Sequence, residues 1–480
     1  MQSREFAHLS ATMREQRATT GIIEGSAPHR ESIDTTLLLE DLKRRYRAAG
    51  VPIEVRFRDL ASWVRAGDQH THQIHPYPAK LLPHIANFFV RASSLCKPGQ
   101  IVLDPFCGSG TVALEASLAG ANPIVADANP FALLVTKVKT TPYETPDLIA
   151  TAHELRARIS RLRTADPISV VNEHLWYSKS TKKELEKILR AIMEVEDDNL
   201  RDFFRVCFSV VARRLSYADP AVNVPVRLKE KQSRSDTANE DIRKHLKWLE
   251  TVSAAEEFDR AVQLNIGRVH AANLAFPKRR PAIVVGQDAR QLIDQDSRRR
   301  PAASVPLTIT SPPYGSAQKY IRASSLALNW LSLCPPSALA ALEGHSIGRE
   351  HLSSKYRATP CEAADNLSTE FRGLVERIRV KNPSRGAITE TYFHELGDAL
   401  CEIERITTPD GHVVLILGNN TVAGLSVEND CFATEIMLEL GFSLELALID
   451  RIHSRGLMTA RNKSASLISG ETILMFRKQR

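Results

Sequence analysis

The sequence predicts an α/β fold: a mostly parallel, doubly wound sheet with helices on both faces, carrying a largely helical insertion. Three observations predict it. Short apolar runs alternate with amphipathic helical stretches along much of the chain. The run Ile101–Asp104 passes through a glycine turn directly into a helical stretch. The run Pro306–Thr310 stops at Pro312 and Pro313, which cannot donate to a sheet ladder. Ligands of such sheets lie at the carboxyl edge. Asp104, Asp127, Asp288 and Ser311 each end a predicted strand, so the four are expected to gather there.

Composition sets the frame. The 480 residues are 43% hydrophobic and 25% charged, ordinary for a globular chain of two or three domains, or of one domain with insertions. No apolar run approaches the roughly 18 residues of a membrane span. Residues 1–20 alternate polar and charged types, without the apolar core of a signal peptide. The seven cysteines are scattered without a CxxC pair, which fits reduced thiols in a cytoplasmic protein and argues against structural zinc. A net charge of +7 permits a polyanionic partner without requiring one.

In order, the pattern divides into an N-terminal arm and helix over 1–69, a glycine-turn segment over 70–140, a helical insertion over 141–280 and a second sheet-forming segment over 281–480. The last contains a polar insert over 341–386. Residues 1–30 are polar; a helix then presents Leu37, Leu38, Leu39, Leu42 and Tyr46 before Gly50. Residues 51–64 predict a short strand and a helix. His70, His72 and His75 lie close together, but no cysteine or carboxylate stands among them and prolines interrupt the spacing. A loop packed on the apolar helix 81–89 is expected rather than a metal site. The insertion reads as helices over 171–177, 181–195 and 203–215. Basic stretches over 227–234 and 243–249 follow the loop at Ala218–Pro220. Strands are expected over 281–286, 412–420, 444–449 and 471–476, helices over 392–406 and 431–440, and a turn at Thr408–Gly411.

Two stretches carry chemistry. In Asp104-Pro105-Phe106-Cys107-Gly108-Ser109-Gly110-Thr111, the glycines let a ligand approach the backbone, and the helix start favours an anionic group. The spacing Gly108-x-Gly110-x-x-Ala113, with Asp127 further on, also fits a dinucleotide fingerprint, a weak signal on its own. In Thr310-Ser311-Pro312-Pro313-Tyr314, a strand tip presents carbonyl oxygens, a hydroxyl and an aromatic ring. That set suits a planar ring with an exocyclic amine: the oxygens accept its N–H groups and Tyr314 stacks on its face.

Together these stretches resemble the S-adenosylmethionine (SAM)-dependent amino-methylating DNA methyltransferases, which act on cytosine N4 or adenine N6. The resemblance covers roughly residues 70–140 and 281–480, and implies a Rossmann-like methyltransferase sheet with SAM as cofactor. Carried over by motif, Tyr77, Pro78 and Lys80 line the methionine end of SAM, bracketed by Asp104, Phe106, Gly108, Ser109, Gly110 and Thr111. Asp127 holds the ribose, and Asp288 meets the adenine. Ser311, Pro312, Pro313 and Tyr314 form the catalytic tip. The cofactor motif precedes the catalytic one, which excludes the group of the family with the opposite order.

The implied reaction is direct methyl transfer to a flipped-out base in double-stranded DNA. Methylation at cytosine C5 would need a thiolate at the strand tip, where Ser-Pro-Pro-Tyr stands instead. Ser311 and the Pro312 carbonyl would hold the amine N–H groups; no histidine suggests itself as a base. Serine in the first motif position leans towards cytosine N4, with adenine N6 open. Rivals are an RNA guanine-N2 methyltransferase, which usually carries Asp-Pro-Pro-Tyr, and a catalytically silent DNA-reading subunit. Arg213, Arg227, Lys229 and Lys231, beside the Ala218–Pro220 loop, and Lys319 and Arg322, after the tip, are candidate DNA contacts. Gln318 and Tyr320 stand with them where a loop could close over the base. A solvated helix face is the alternative for the basic runs. A cognate restriction endonuclease is an optional partner. Recognition sequence and oligomeric state are not legible.

Overall fold

Runs rich in Val, Ile and Leu pair into one eight-stranded sheet in the computed structural model, which describes residues 33–64, 70–78, 80–315, 319–352, 368–451 and 470–480. The strands are β1 (Ile53–Val55), β2 (Ile101–Asp104), β3 (Asn122–Ala126), β4 (Ile283–Gly286), β5 (Val305–Thr310) and β6 (Thr407–Leu417). After a separate hairpin, β7 (Asn420–Val422) and β8 (Leu425–Val427), come β9 (Phe442–Arg451) and β10 (Gly470–Lys478). Their spatial order is β1-β9-β10-β6-β5-β2-β3-β4. β10 runs antiparallel between β6 and β9; the other pairings are parallel. From β2 the chain builds outward to β3 and β4, and from β5 it builds the opposite way to β6. The strand order therefore reverses between β2 and β5, opening a crevice at their carboxyl ends.

Burial on both faces follows the two-residue period of a strand. In β6, Val414 and Ile416 face one core, while Val413, Leu415 and Leu417 face the other; in β10, Ile473 and Met475 oppose Leu474 and Phe476. The first face is covered by helices α1 (Thr36–Ala49), α2 (Pro83–Val90) and α3 (Thr111–Leu118), around Phe88 and Phe89. The second is covered by helices described below, around Phe371, Phe393 and Phe432.

A helical layer stands beside the sheet: α4 (Pro130–Thr140), α5 (Thr145–Arg161), α6 (Lys179–Met193), α7 (Asp198–Arg214), α8 (Asp236–Thr251), α9 (Ala254–Ala275) and α10 (Tyr320–Trp330). Phe203, Phe204, Phe208 and Trp330 centre its core, which also takes in Tyr77 and Phe131 from the glycine-turn segment and Ile321–Cys334 from beyond β5. The layer is thus packed onto the crevice rather than tethered beside it. Further helices are α11 (Leu339–His345), α12 (Thr369–Lys381), α13 (Pro383–Ile406) and α14 (Asn429–Glu439); α12–α14 cover the second face.

Several expectations change. Leu37 is 71% exposed, because the buried stripe of α1 runs through Leu39 and Leu42. Only a single turn, Glu173–Trp176, forms within 171–177, where the Val171 N–H is taken by the Asn329 side chain. Thr408–Gly411 is a register irregularity inside β6, with Asp410 at φ 62°, rather than a turn before it. The polar insert contains α12, whose Phe371, Leu374, Val375 and Ile378 recur at helical spacing and are buried. The helix expected from 392 begins at Pro383, with the Asn382 side chain accepting the Arg385 N–H.

Candidate active site

The crevice between β2 and β5 holds a cavity of about 260 Å³. Its walls include Tyr77, Lys80, Asp104, Phe106, Gly108, Ser109, Thr111, Asp127, Asp288, Ser311, Pro313 and Tyr314. Four separate strand ends meet there. The two motifs are joined directly: Thr310 Oγ1 donates to Asp104 Oδ1 at 2.6 Å across the switch point. Asp104 also accepts the Phe106 N–H (3.2 Å), so the carboxylate shapes its own loop.

Asp127 organises the other side of that loop. Its Oδ2 accepts the Gly108 N–H at 2.8 Å and its Oδ1 the Asn129 N–H at 2.8 Å. Burial pushes the Asp104 carboxyl up to about 7 and the Asp127 carboxyl up to about 6, against the hydrogen bonds that hold them ionised. Gly110 does not line the cavity but fixes the turn: at φ 72°, an added Cβ would lie 2.6 Å from Thr136 Oγ1. Tyr77 stacks near Phe131, and its hydroxyl accepts from Asn129 Nδ2 at 2.9 Å. Lys80 donates to the His72 carbonyl at 3.0 Å. Pro78 and Pro312 lie beside the cavity in sequence and are not among its lining residues.

The histidines serve packing and helix anchoring. His72 Nε2 lies 2.8 Å from Glu115 Oε1 on α3, and Asn87 on α2 donates to the other oxygen of Glu115. His75 packs edge-on to Phe131, and burial lowers its pKa to about 3. His70 packs edge-on to Phe276.

At the Ser311–Tyr314 strand tip the structure adds constraints that the sequence did not reveal. The Tyr314 hydroxyl is 2.9 Å from Ser311 Oγ and donates to Glu471 Oε1 at 3.0 Å, so its ring is held by two hydrogen bonds rather than free to swing. Tyr392 donates to the Pro313 carbonyl at 2.9 Å, and Asn420 Nδ2 to the Tyr314 carbonyl at 3.3 Å. Glu471, Tyr320, Asn129 and the stretch His345–Ile347 line the cavity as well. Of these, only Tyr320 stood out in sequence, as a residue where a loop could close over the base; in the structure it opens helix α10. Glu471 begins β10; because that strand runs antiparallel, its first residue falls at the carboxyl edge of its parallel neighbours.

Asp288 is more committed than expected. Arg290 clamps its carboxylate through Nε and Nη2 at 2.9 Å and pairs through Nη1 with Glu395, which also pairs with Arg349. Among the expected DNA contacts, Arg213 is turned inward. It donates to the Asp219 and Val222 carbonyls (3.3 and 2.7 Å), so it clamps the Ala218–Pro220 loop instead of facing solvent. Arg227 donates to the Leu175 carbonyl while its guanidinium lies 4.9 Å from the Tyr217 ring centre. Lys319 pairs with Glu350 at 2.9 Å. Lys229, Lys231 and Arg322 are exposed; Gln318 lies outside the described residues.

This donor set fits SAM. Ser109 Oγ is buried at the start of α3 without a hydrogen-bond partner, a donor suited to a carboxylate. The Asp104 and Asp127 carboxylates suit cationic and hydroxyl groups beside it. Cys107 also lines the cavity, but burial and the two neighbouring aspartates hold its thiol well above its usual range, which makes it a poor nucleophile.

The chain is similar in part to several known proteins. The family model described as "UPF0020: RMKL-like, methyltransferase domain" matches residues 72–169. The chain is 22% identical over 438 residues to the type II methyltransferase M.MvaI of Kocuria varians, covering 84% of this chain and 89% of that one. It is 32% identical over 129 residues to a tRNA (guanine(10)-N2)-dimethyltransferase of Methanocaldococcus jannaschii, covering 26% of this chain and 36% of that one. A putative DNA modification methylase of Thermus thermophilus, solved in complex with S-adenosyl-L-methionine, aligns at 23% identity and a TM-score of 0.16, over 19% of this chain and 38% of its own. The glycine turn and the Ser311–Tyr314 tip thus meet at one cavity in a chain that matches a methyltransferase-domain model over residues 72–169 and is similar along most of its length to a type II methyltransferase, a setting that fits SAM as cofactor.

Proposed function

We propose that the protein methylates the exocyclic N4 amine of cytosine in a base flipped out of double-stranded DNA. The observation that carries this reading is the single cavity lined both by the Asp104–Asp127 glycine turn and by Ser311 and Tyr314. Asp104, Ser109 and Lys80 would hold the methionine end of SAM, Asp127 the ribose and Asp288 the adenine side; SAM supplies an electrophilic methyl group. Ser311 Oγ and the Pro312 carbonyl would accept the two amine N–H groups. This draws the nitrogen lone pair out of conjugation and aims it at the methyl group. The Tyr314 ring would stack on the extruded base.

A flipped base needs a duplex bound at the cavity mouth. Exposed Arg322, on α10 beside the lining residues Tyr320 and Ile321, together with Lys229 and Lys231 on the helical layer, would contact phosphates without reading sequence. We assign the insertion over 141–280 to this duplex contact. Its place of action would be cytoplasmic, on nucleoid DNA, as the modification partner of a restriction endonuclease. Among the described residues, no helix is long and apolar enough to cross a membrane.

The test is methyl transfer from labelled SAM to plasmid DNA, followed by nucleoside mass analysis. N4-methylcytosine is expected. N6-methyladenine would keep the enzyme class and change the target. Label in tRNA but not in DNA, as the partial match to a tRNA methyltransferase would have it, would overturn the reading.

A further inference from the structure

We propose that Glu471 is a positioning residue of the methyl-transfer site: it sets the direction of the hydrogen-bond chain Ser311–Tyr314–Glu471 and receives, through that chain, the proton that the target amine sheds. The inference rests on the proposed methylation of an exocyclic amine at Ser311.

The geometry is a linear relay. Ser311 Oγ is 2.9 Å from Tyr314 Oη, and Tyr314 Oη donates to Glu471 Oε1 at 3.0 Å. An ionised carboxylate can only accept. With Glu471 ionised, Tyr314 gives it its one proton and Ser311 gives its own to Tyr314. Ser311 Oγ then presents only lone pairs to the cavity, which an amine N–H requires. Without the carboxylate, the serine proton is free to point at the amine, where it would oppose binding. The relay therefore explains why a hydroxyl, ambivalent by nature, can act at the tip as a dedicated acceptor.

The same path disposes of a proton. As the N–C bond forms, the C–S bond breaks with its electron pair going to sulfur, and the amine nitrogen becomes positively charged. One N–H proton passes to Ser311 Oγ, the serine proton to Tyr314 Oη, and the tyrosine proton to Glu471 Oε1. The sulfonium has then become a neutral thioether, the methylated amine is neutral and Glu471 is a carboxylic acid, which resets by losing its proton to solvent. The surroundings favour uptake. Tyr314 and Tyr320 face Glu471 from the tip and α10, and Asp450 pairs with it across β9. Among the described residues no cation lies within ion-pair distance of it. Burial and Asp450 accordingly raise its carboxyl above the usual range.

The test uses the full chain, a DNA duplex shown to be methylated by the wild type, single-turnover rates and calorimetric SAM binding. Glu471→Gln is expected to lower the transfer rate by about 10²-fold, in the range of general acid–base effects, with SAM affinity retained as the sign of an intact fold. Tyr314→Phe, which keeps the ring, should lose a similar factor, and the double variant should be no worse than either single one. Asp450→Asn should move the acidic limb of the rate–pH profile to lower pH, a shift that a purely structural role would not produce. A wild-type rate and profile in Glu471→Gln would overturn the inference alone. Absence of methyl transfer to any DNA by the wild type would overturn the underlying reading, and the inference with it.

Discussion

The carboxyl edge of the sheet and the helical layer beside it are built on opposite terms. At the edge, carboxylates are buried and short of cations: Asp104, Asp127 and Glu471 all have pKa values raised by burial, and Ser109 has an unpartnered hydroxyl. In the helical layer, many charges are paired off around an aromatic core, as in Lys137 with Asp202, Arg214 with Glu257 and Arg234 with Asp219. One region gathers buried polar groups around a cavity; the other sets many of its charges in ion pairs around an aromatic core. Buried groups poised for a partner mark chemistry, whereas paired surface charges mark a scaffold.

This contrast can be broken or sharpened by substitution. The largest effect is expected in the scaffold. Phe208 is fully buried in the helical core, and Phe208→Ala should cost about 3–5 kcal/mol in denaturant unfolding. At the edge, Ser311→Ala should leave unfolding nearly unchanged and lower kcat by about 10²–10³-fold, with SAM affinity retained. If both substitutions acted on stability, the distinction would fail.

A smaller effect is expected from pH. Burial raises the Asp104 and Asp127 carboxyls to about 7 and about 6, and in the proposed site they act ionised, matched to cationic and hydroxyl groups of the cofactor. Because both values are raised, the required form is lost already as pH falls through 7 to 6. SAM affinity measured by calorimetry should therefore drop roughly 100-fold between pH 8 and 5.5. A flat profile would mean that neither carboxylate meets the cofactor. Smallest of all, Lys229→Ala and Lys231→Ala should each reduce the salt slope of DNA binding by about 1, without changing the methylated base.

Much of the edge was legible because its signals are local. The Asp104–Thr111 turn, the Pro312–Pro313 stop and the acidic strand ends each declare themselves within a few residues. What escaped was set by topology and distance. Glu471 reads as an ordinary strand residue until β10 is known to run antiparallel, which carries its first residue to the site. Tyr392 and Asn420 lie on separate elements, far along the chain from the carbonyls they hold. Arg213 looked like a surface cation because sequence gives charge, not the direction in which a side chain leaves its helix. The buried stripe Phe371, Leu374, Val375 and Ile378 was visible in principle, but the surrounding polar residues masked it.

The central claim is that cofactor and target amine meet where β2 and β5 diverge. The most direct measurement is a crystal structure of the chain with an amine analogue of SAM and a duplex containing its target base. The account predicts the analogue against Asp104, Ser109 and Asp127, and an extruded cytosine whose amine lies about 3–3.5 Å from the transferring position, held by Ser311. A base bound on the helical layer, or an analogue seated outside this cavity, would contradict it.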